Sequence, residues 1–420
     1  MQLSIIIPAL NERDNLTRLI PLLIKVMPSD VESYEIIVVD GRSHDGTSQV
    51  AEDLGAIVVT QHLPGYGGAL KSGFEQAQGE YILTMDADLS HPPAFLSTIW
   101  QARDEAEVVI ASRYVPGGAA DMPWFRYILS RLLNFTFTQG LSLPIQDVSS
   151  GFRLYRASVL HHFPIQSAHF DVLEEILIQA HAHGWRIVEV PFRYEARYSG
   201  KSHVSLLKFG WAYLKTFLRM WRLRNSIDSA DYDYRAYDSL IPLQRYWQRT
   251  RHKIILNFAR DTESGSLLDV GCGSSRILLD LPNAIGVDIK AGKIRYIHRH
   301  GANGLVGSAF ALPFPNACFD CLISSQVIEH LPADPLLFEE MARLIKPGGR
   351  LILGTPDYGG WIWPLLEFLY GRLAPGGYAD EHITRYTQRS LEETLESYGF
   401  ECEGVAWVAR AEMIMSCRKR

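Results

Sequence analysis

Two apolar runs in this 420-residue chain end on acids and tight turns, MDADLSHPP at residues 85–93 and LLDVGCGSS at residues 267–275. The first sets an acidic pair at a predicted strand end, suited to a divalent ion on a diphosphate. The second is a glycine-rich strand-to-helix turn, where the backbone can approach a nucleoside cofactor closely. These are two different kinds of site, and 420 residues exceed the size at which one hydrophobic core usually keeps growing. The chain therefore reads as two fused α/β domains.

At 47% hydrophobic and 21% charged, the composition is that of a folded protein with no segment biased toward disorder. Residues 1–225 carry 20 Lys and Arg against 23 Asp and Glu, leaving 21 of the 41 basic and 24 of the 47 acidic residues for the remainder. Neither half is charged like a nucleic-acid binder, so no nucleic-acid partner is expected. All five cysteines lie in the second half, an odd number without framework spacing, which indicates a reducing, cytoplasmic setting. Cys318 and Cys321 enter an apolar run with no second pair at zinc spacing, so they read as strand residues. The N-terminus enters LSIIIPAL without a basic leader, and no signal peptide is expected. No uncharged apolar run reaches the ~18 residues of a spanning helix.

In the first half, apolar runs at 3–9, 35–40, 56–61, 81–88 and 108–114 alternate with helical stretches, which predicts a parallel sheet. Ligands of such sheets bind at the carboxyl ends of the strands, and Asn11, Glu12, Asp40, Asp86 and Asp88 collect there. Asp86 and Asp88 share a side if the strand is still extended at that point. Adjacent carboxylates repel unless a cation lies between them, and a divalent ion also neutralises a departing diphosphate. A D-x-D alone reads as a solvated turn; its position, with His91, Pro92 and Pro93 stopping the strand, favours the metal.

Together with that motif, PALNE (8–12), VDGRSHDGT (39–47), GYGGALKSG (65–73), SRYVPGG (112–118), QDVSSGFRLYR (146–156) and VEVPFRYEARYSGKS (188–202) resemble the family 2 glycosyltransferases of the dolichyl-phosphate mannose synthase type, over residues 1–224. The resemblance implies a GT-A-type nucleotide-sugar domain. It implies inverting, metal-dependent transfer of a hexose, mannose first and glucose second, from a nucleotide-diphosphate sugar to polyprenyl or dolichyl phosphate. It puts Pro8, Glu12 and Asp40 on the donor, Asp86 and Asp88 on Mg2+ or Mn2+, and Arg113, Arg153, Arg197 and Lys201 around the phosphates, with Asp88 and these four cations as the catalytic set. Gly41 and His203 depart from the family pattern, which often has an acid and a lysine there. No isolated His or Glu is placed as a base, whereas three of these arginines fall in motif loops. A phosphate acceptor is already anionic and mainly needs cations to hold it. Each arginine taken alone reads equally as a surface ion pair, and a growing envelope glycan is the rival acceptor.

Between Lys201 and Arg224 stand six basic residues and no acid. Lys201, Lys208, Lys215 and Arg222 share one helical face, and Leu207, Trp211, Leu214, Leu218 and Trp221 share another. Such a helix can lie on an anionic membrane surface, which predicts peripheral attachment to the inner face of the membrane. The plainer reading is a helix packed on its own domain.

Residues 225–234, NSIDSADYDY, read as a polar linker. From 235 on, the LLDVGCGSS turn is joined by Asp288 ending AIGVD, SAFALPFP (308–315), QVIEHL (326–331), KPGGRLILGTP (346–356) and DEHITRYTQRSLEETLESYGF (380–400). The set resembles class I S-adenosylmethionine-dependent methyltransferases and implies a Rossmann-like domain over 235–420. The resemblance puts the methionine end of the cofactor at Asp269, Gly271 and Gly273, the ribose at Asp288 and the adenine near Ala309 and Phe310. Ser275 and Ser308 stand where a glycine and an acid are common. A hydroxyl acceptor usually needs a base, and His330 and His382, each beside an acid (Glu329, Glu381), are the candidates. His330 reads equally as a residue packed beneath the site. The aromatic run 359–371 is too short to span a bilayer and reads as a lid or acceptor channel. The rival for this half is a degenerate cofactor-binding or scaffolding module.

Overall fold

Residues 1–195, 206–262, 265–373 and 382–420 are described by a computed structural model. They form two compact units, Met1–His181 with Trp185–Trp221, and Ala182–Gly184 with Arg222–Arg420.

The first unit is built on β1 (Leu3–Ala9), β2 (Tyr34–Asp40), β3 (Ile57–Thr60), β4 (Tyr81–Thr84), β5 (Val108–Ser112), β7 (Arg153–Arg156) and β8 (Ile187–Pro191), in the order β3-β2-β1-β4-β7-β5-β8. Two short strands, β6 (Ala119–Ala120) and β9 (Arg193–Tyr194), pair apart from it. Continuous apolar runs such as LSIIIPA suit parallel strands covered on both faces. Leu3, Ile5 and Ile7 are buried with Leu16, Leu19 and Ile20 of the helix Arg13–Lys25 in one core. Two features depart from the expectation. Strand β4 stops at Thr84, and Leu89 takes φ of +63°, so Asp86 and Asp88 lie in a turn where strand alternation no longer aligns them. In mid-sheet, β7 runs antiparallel to both β4 and β5. Its sequence, RLYR, has an arginine at each end and lacks the apolar run that marks the other strands.

The second unit has β10 (Leu267–Val270), β11 (Ala284–Asp288), β12 (Asn303–Val306), β13 (Phe319–Ser325), β14 (Ile345–Pro356), β15 (Phe400–Val408) and β16 (Glu412–Lys419), ordered β12-β11-β10-β13-β14-β16-β15. All pairs are parallel except those of β16. The order reverses between β10 and β13, the place where such sheets open a crevice for ligands. Cys321 is buried in β13, and Cys318 directly precedes it.

The stretch 225–234, expected as a linker, falls within the second unit and packs there. Arg224 is fully buried, donating to Ser229 Oγ and to both carboxylate oxygens of Asp231, at 2.5 and 2.8 Å. A helix, Tyr232–Tyr237, begins within the stretch. Its acids look like solvated linker residues in sequence because their basic partners cannot be seen there.

Candidate active sites

Glu12, Asp40 and Asp86 follow or end β1, β2 and β4, on the carboxyl side of the first sheet. Asp40 accepts from the Ser43 amide (3.1 Å) and the Ser48 hydroxyl (2.8 Å), and Glu12 accepts from the Asn15 side chain. Pro8 lies within β1, half-buried. The Asp86 side chain is one-third exposed, and Tyr66 donates to it at 3.3 Å. Asp88 is buried instead, its Oδ1 accepting from the Ser90 amide at 3.1 Å and the Ser90 hydroxyl at 2.5 Å.

His91 fixes this turn. Its ring stacks on Phe152 (centroids 4.9 Å apart), Nδ1 accepts the Asp86 backbone N–H at 2.9 Å, and Nε2 faces the Asp86 carboxylate at 3.8 Å. In sequence His91 signals only a strand stop; the H-P-P following D-x-D was the available cue. A Cβ on Gly151 would sit 3.0 Å from the Tyr66 hydroxyl and 3.6 Å from Asp86 Oδ1, so the glycine of SSG keeps the cradle open. The partly exposed Asp86 carboxylate at this open cradle, with Asp88 two residues on, fits a hard divalent cation.

The cations separate into groups. Arg113 forks onto Asp147 at 2.7 and 2.8 Å with its side chain 10% exposed. Burial opposes the charge on Asp147, yet Arg113 prevails and holds that carboxyl below its ordinary range. Arg153 is fully buried, donating to Val148 O (2.6 Å) and Leu173 O (2.7 Å). It braces the β7 region and presents no surface to a phosphate, which corrects its expected place. Nearby Glu174 is pushed up to about 8 by burial. Arg197 and Lys201 lie outside the described residues.

The second unit holds a cavity of about 550 Å³ over the carboxyl ends of β10 and β11, lined by Asp269, Gly271, Gly273, Asp288, Ala309, Phe310, His330 and His382. Gly271 has φ of +71°, and a Cβ there would meet Val327 at 2.2 Å. Asp288 accepts from the Gly273 amide at 2.9 Å. Asp269 Oδ2 is buried without a hydrogen-bond partner. Burial first, then Asp288 and Asp233, push its carboxyl up to about 7. A buried acid lacking a donor beside a glycine turn fits the ammonium group of S-adenosylmethionine.

Asp233 lines the cavity too, without any signal in the motifs. It pairs with Lys293 and accepts the Ser274 amide at 3.0 Å, capping the glycine turn from the stretch 225–234. The helix Ile362–Leu373, which overlaps the run read as a lid, sends Trp363 and Glu367 into the cavity wall. Glu381 lies outside the described residues; the acid on His382 is Glu367, 3.0 Å from Nδ1, which also meets the Tyr358 hydroxyl at 2.7 Å. Burial and then His330, whose ring centroid is 4.9 Å away, lower the His382 pKa.

A model of glycosyl transferase family 2 matches residues 4–163, and a methyltransferase domain model matches residues 268–353. The chain is 33% identical over 241 residues to the polyprenol monophosphomannose synthase of Mycolicibacterium smegmatis, covering 54% of this chain and 89% of that one.

The chain belongs to glycosyl transferase family 2.

This family 2 enzyme is also 32% identical over 239 residues to the dolichol-phosphate mannosyltransferase of Pyrococcus furiosus, spanning 54% of its own length and 66% of the relative's. Among solved structures, the glucosyl-3-phosphoglycerate synthase of Mycobacterium tuberculosis with Mn2+, UDP and glucosyl-3-phosphoglycerate matches at 20% identity and a TM-score of 0.42, over 52% of this chain and 79% of that one. The enzyme thus joins a family 2 glycosyltransferase domain to a methyltransferase domain.

Proposed function

We propose that the first domain transfers a hexose, mannose by preference, from a nucleotide-diphosphate sugar to polyprenyl phosphate, and that the second uses S-adenosylmethionine to methylate a glycan- or lipid-pathway acceptor. The observation that carries the first part is Asp86, held open to solvent by His91 and Tyr66 beside Asp88. A divalent ion bound there would supply charge neutralisation for the leaving diphosphate. Glu12 and Asp40 face the donor nucleoside, and Arg113, Arg197 and Lys201 hold phosphate. Arg153 keeps the β7 region in shape.

A lipid acceptor agrees with the surface of this domain. Trp124, Ile128, Leu132 and Phe135 recur along one stripe of the helix Trp124–Gly140, 53% to 75% exposed. On the helix Leu206–Arg224, Trp211 is 76% exposed while Thr216 and Met220 are buried. The two helices touch through Phe137 and Phe217. Arg126, Arg131, Lys215 and Arg222 stand on the same two helices. Arg219, on the second of these helices, turns to buried Glu175 at 2.9 Å instead. The side chain of Lys208 is outside the described residues. No helix among the described residues is long and apolar enough to cross a membrane. The exposed apolar stripe beside basic residues favours interfacial docking.

One assay tests both points. Full-length protein is mixed with anionic vesicles carrying polyprenyl phosphate and a panel of labelled nucleotide sugars. Label should enter the lipid extract from one sugar. Trp124→Ser with Trp211→Ser should release most of the protein from the vesicles. Label confined to water-soluble glycan would defeat the acceptor assignment, and vesicle binding indifferent to both tryptophans would defeat the docking surface.

In the second domain Asp269 grips the cofactor's ammonium and Asp288 its ribose, while His330 and His382 manage the acceptor's proton. The cofactor, when bound, supplies an electrophilic methyl group. With the Asp269 carboxyl near 7, its proton must leave before it can pair with a cation. Cofactor affinity should therefore fall as pH drops from 8 to 6, by up to about tenfold per unit below that pKa. Calorimetry across this range should show Asp269→Asn binding weakly and without the slope. Absence of cofactor binding by wild type would favour the scaffolding module.

A further inference from the structure

Beyond the cofactor grip, Glu329, His330 and His382 place one ligating atom each within 4.8 Å of the others. Tetrahedral ligands at ordinary Zn–N and Zn–O distances lie about 3.4 Å apart, so modest side-chain rotation would close this set on one ion. We propose that these three residues form a divalent transition-metal site in the cavity wall, with an open position for an acceptor oxygen. This deepens the methyltransferase reading and rests on it.

Three further features point to an ion rather than to a hydrogen-bonded dyad. Glu329 is fully buried, and its Oε1 has no hydrogen-bond partner, while Oε2 accepts only a long 3.2 Å bond from Thr355. A buried carboxylate oxygen without a donor is costly unless a cation meets it. His382 has Nδ1 occupied by Glu367 and Tyr358, which leaves Nε2 to ligate. A carboxylate behind a histidine is the usual outer support of a metal-bound imidazole. The backbone brings the pieces together beforehand. Ile383 and Thr384 both donate to Glu329 O at 2.8 and 3.0 Å, and the Thr384 hydroxyl donates to Leu331 O at 2.6 Å. The segment carrying His382 is thereby tied to the one carrying Glu329 and His330.

Two imidazoles and one carboxylate suit Zn2+, Co2+ or Fe2+ better than Mg2+. Such a set leaves coordination open on the cavity side, where His330 and His382 already line the wall. With an ion held there, His330 and His382 would act on the acceptor's proton through it: the ion would lower the pKa of the acceptor hydroxyl, whose proton leaves to solvent as its oxygen takes the methyl group. The S–CH3 bond breaks with its electron pair staying on sulfur, and the cofactor leaves as a neutral thioether.

The test compares full-length wild type with His382→Ala, both stripped with chelator and titrated with Co2+ alone and, separately, with S-adenosylmethionine. Asp86 and Asp88 are intact in both proteins, so any ion they hold cancels in the difference. Wild type should bind one more Co2+ per chain than the variant, with the visible absorption of a nitrogen-ligated ion. Glu367→Gln should keep that ion but bind it about tenfold more weakly, as loss of an outer support does. Glu329→Gln, nearly isosteric, carries the comparison should His382→Ala fail to fold. Equal Co2+ binding in wild type and both ligand variants, with cofactor binding retained, overturns the metal site. A Co2+ difference in a protein that binds no cofactor upholds the site and overturns the methyltransferase reading instead.

Discussion

Asp88→Asn should lower sugar transfer by about three orders of magnitude, because a metal ligand offsets several kcal/mol at the leaving group and each 1.36 kcal/mol is tenfold in rate. The fold should survive for a reason that depends on burial. Asp88 is buried, and its Oδ1 takes both bonds from Ser90. The amide oxygen of asparagine can accept the same two bonds, so the change removes charge and leaves the turn. Asp86→Asn acts on a group one-third exposed and should cost as much activity with still less structural effect. Transfer is followed as labelled sugar in the lipid extract, with thermal unfolding as the control. Wild-type transfer that continues in excess chelator would remove the metal from the reaction.

The sheet architecture was legible because parallel strands covered on both faces must be apolar throughout. LSIIIPA, YEIIVVD and LLDV announce themselves at that density, and Asp40 marks the end of the second. The residues around the glycine turn were legible for the same reason, since Gly271 is required by its positive φ and the nearness of Val327. What sequence could not carry is pairing at a distance. Arg153 and a solvent-facing arginine look alike until Val148 O and Leu173 O are seen to enclose one of them. Glu381 adjoins His382 in sequence, yet the acid on His382 stands fifteen positions upstream at Glu367. Asp233 sat in a run that looked like linker because Lys293, its partner, is sixty residues away. The apolar stripe of Trp124–Gly140 was missed for another reason. A helix with an apolar face reads as one packed on a core, and only exposure reveals that this face is uncovered.

Asp231→Ala should destabilise the second unit by about 3–5 kcal/mol, the cost of leaving a buried charge without its partner. Arg224 is fully exposed to that loss. Its guanidinium is buried, burial already lowers its pKa, and Asp231 holds both of its terminal nitrogens. Arg235 leans on the same carboxylate at 3.1 Å and would lose it too. The double change Arg224→Met with Asp231→Leu should recover most of the stability, since a buried ion pair exchanged for apolar side chains of similar size is often neutral. With two units in one chain, a single unfolding free energy is ill-defined. The measurement is therefore the thermal transition that S-adenosylmethionine raises, compared among the three proteins. A linker would tolerate Asp231→Ala without any shift in that transition, and such a result would return residues 225–234 to the role their composition first indicated.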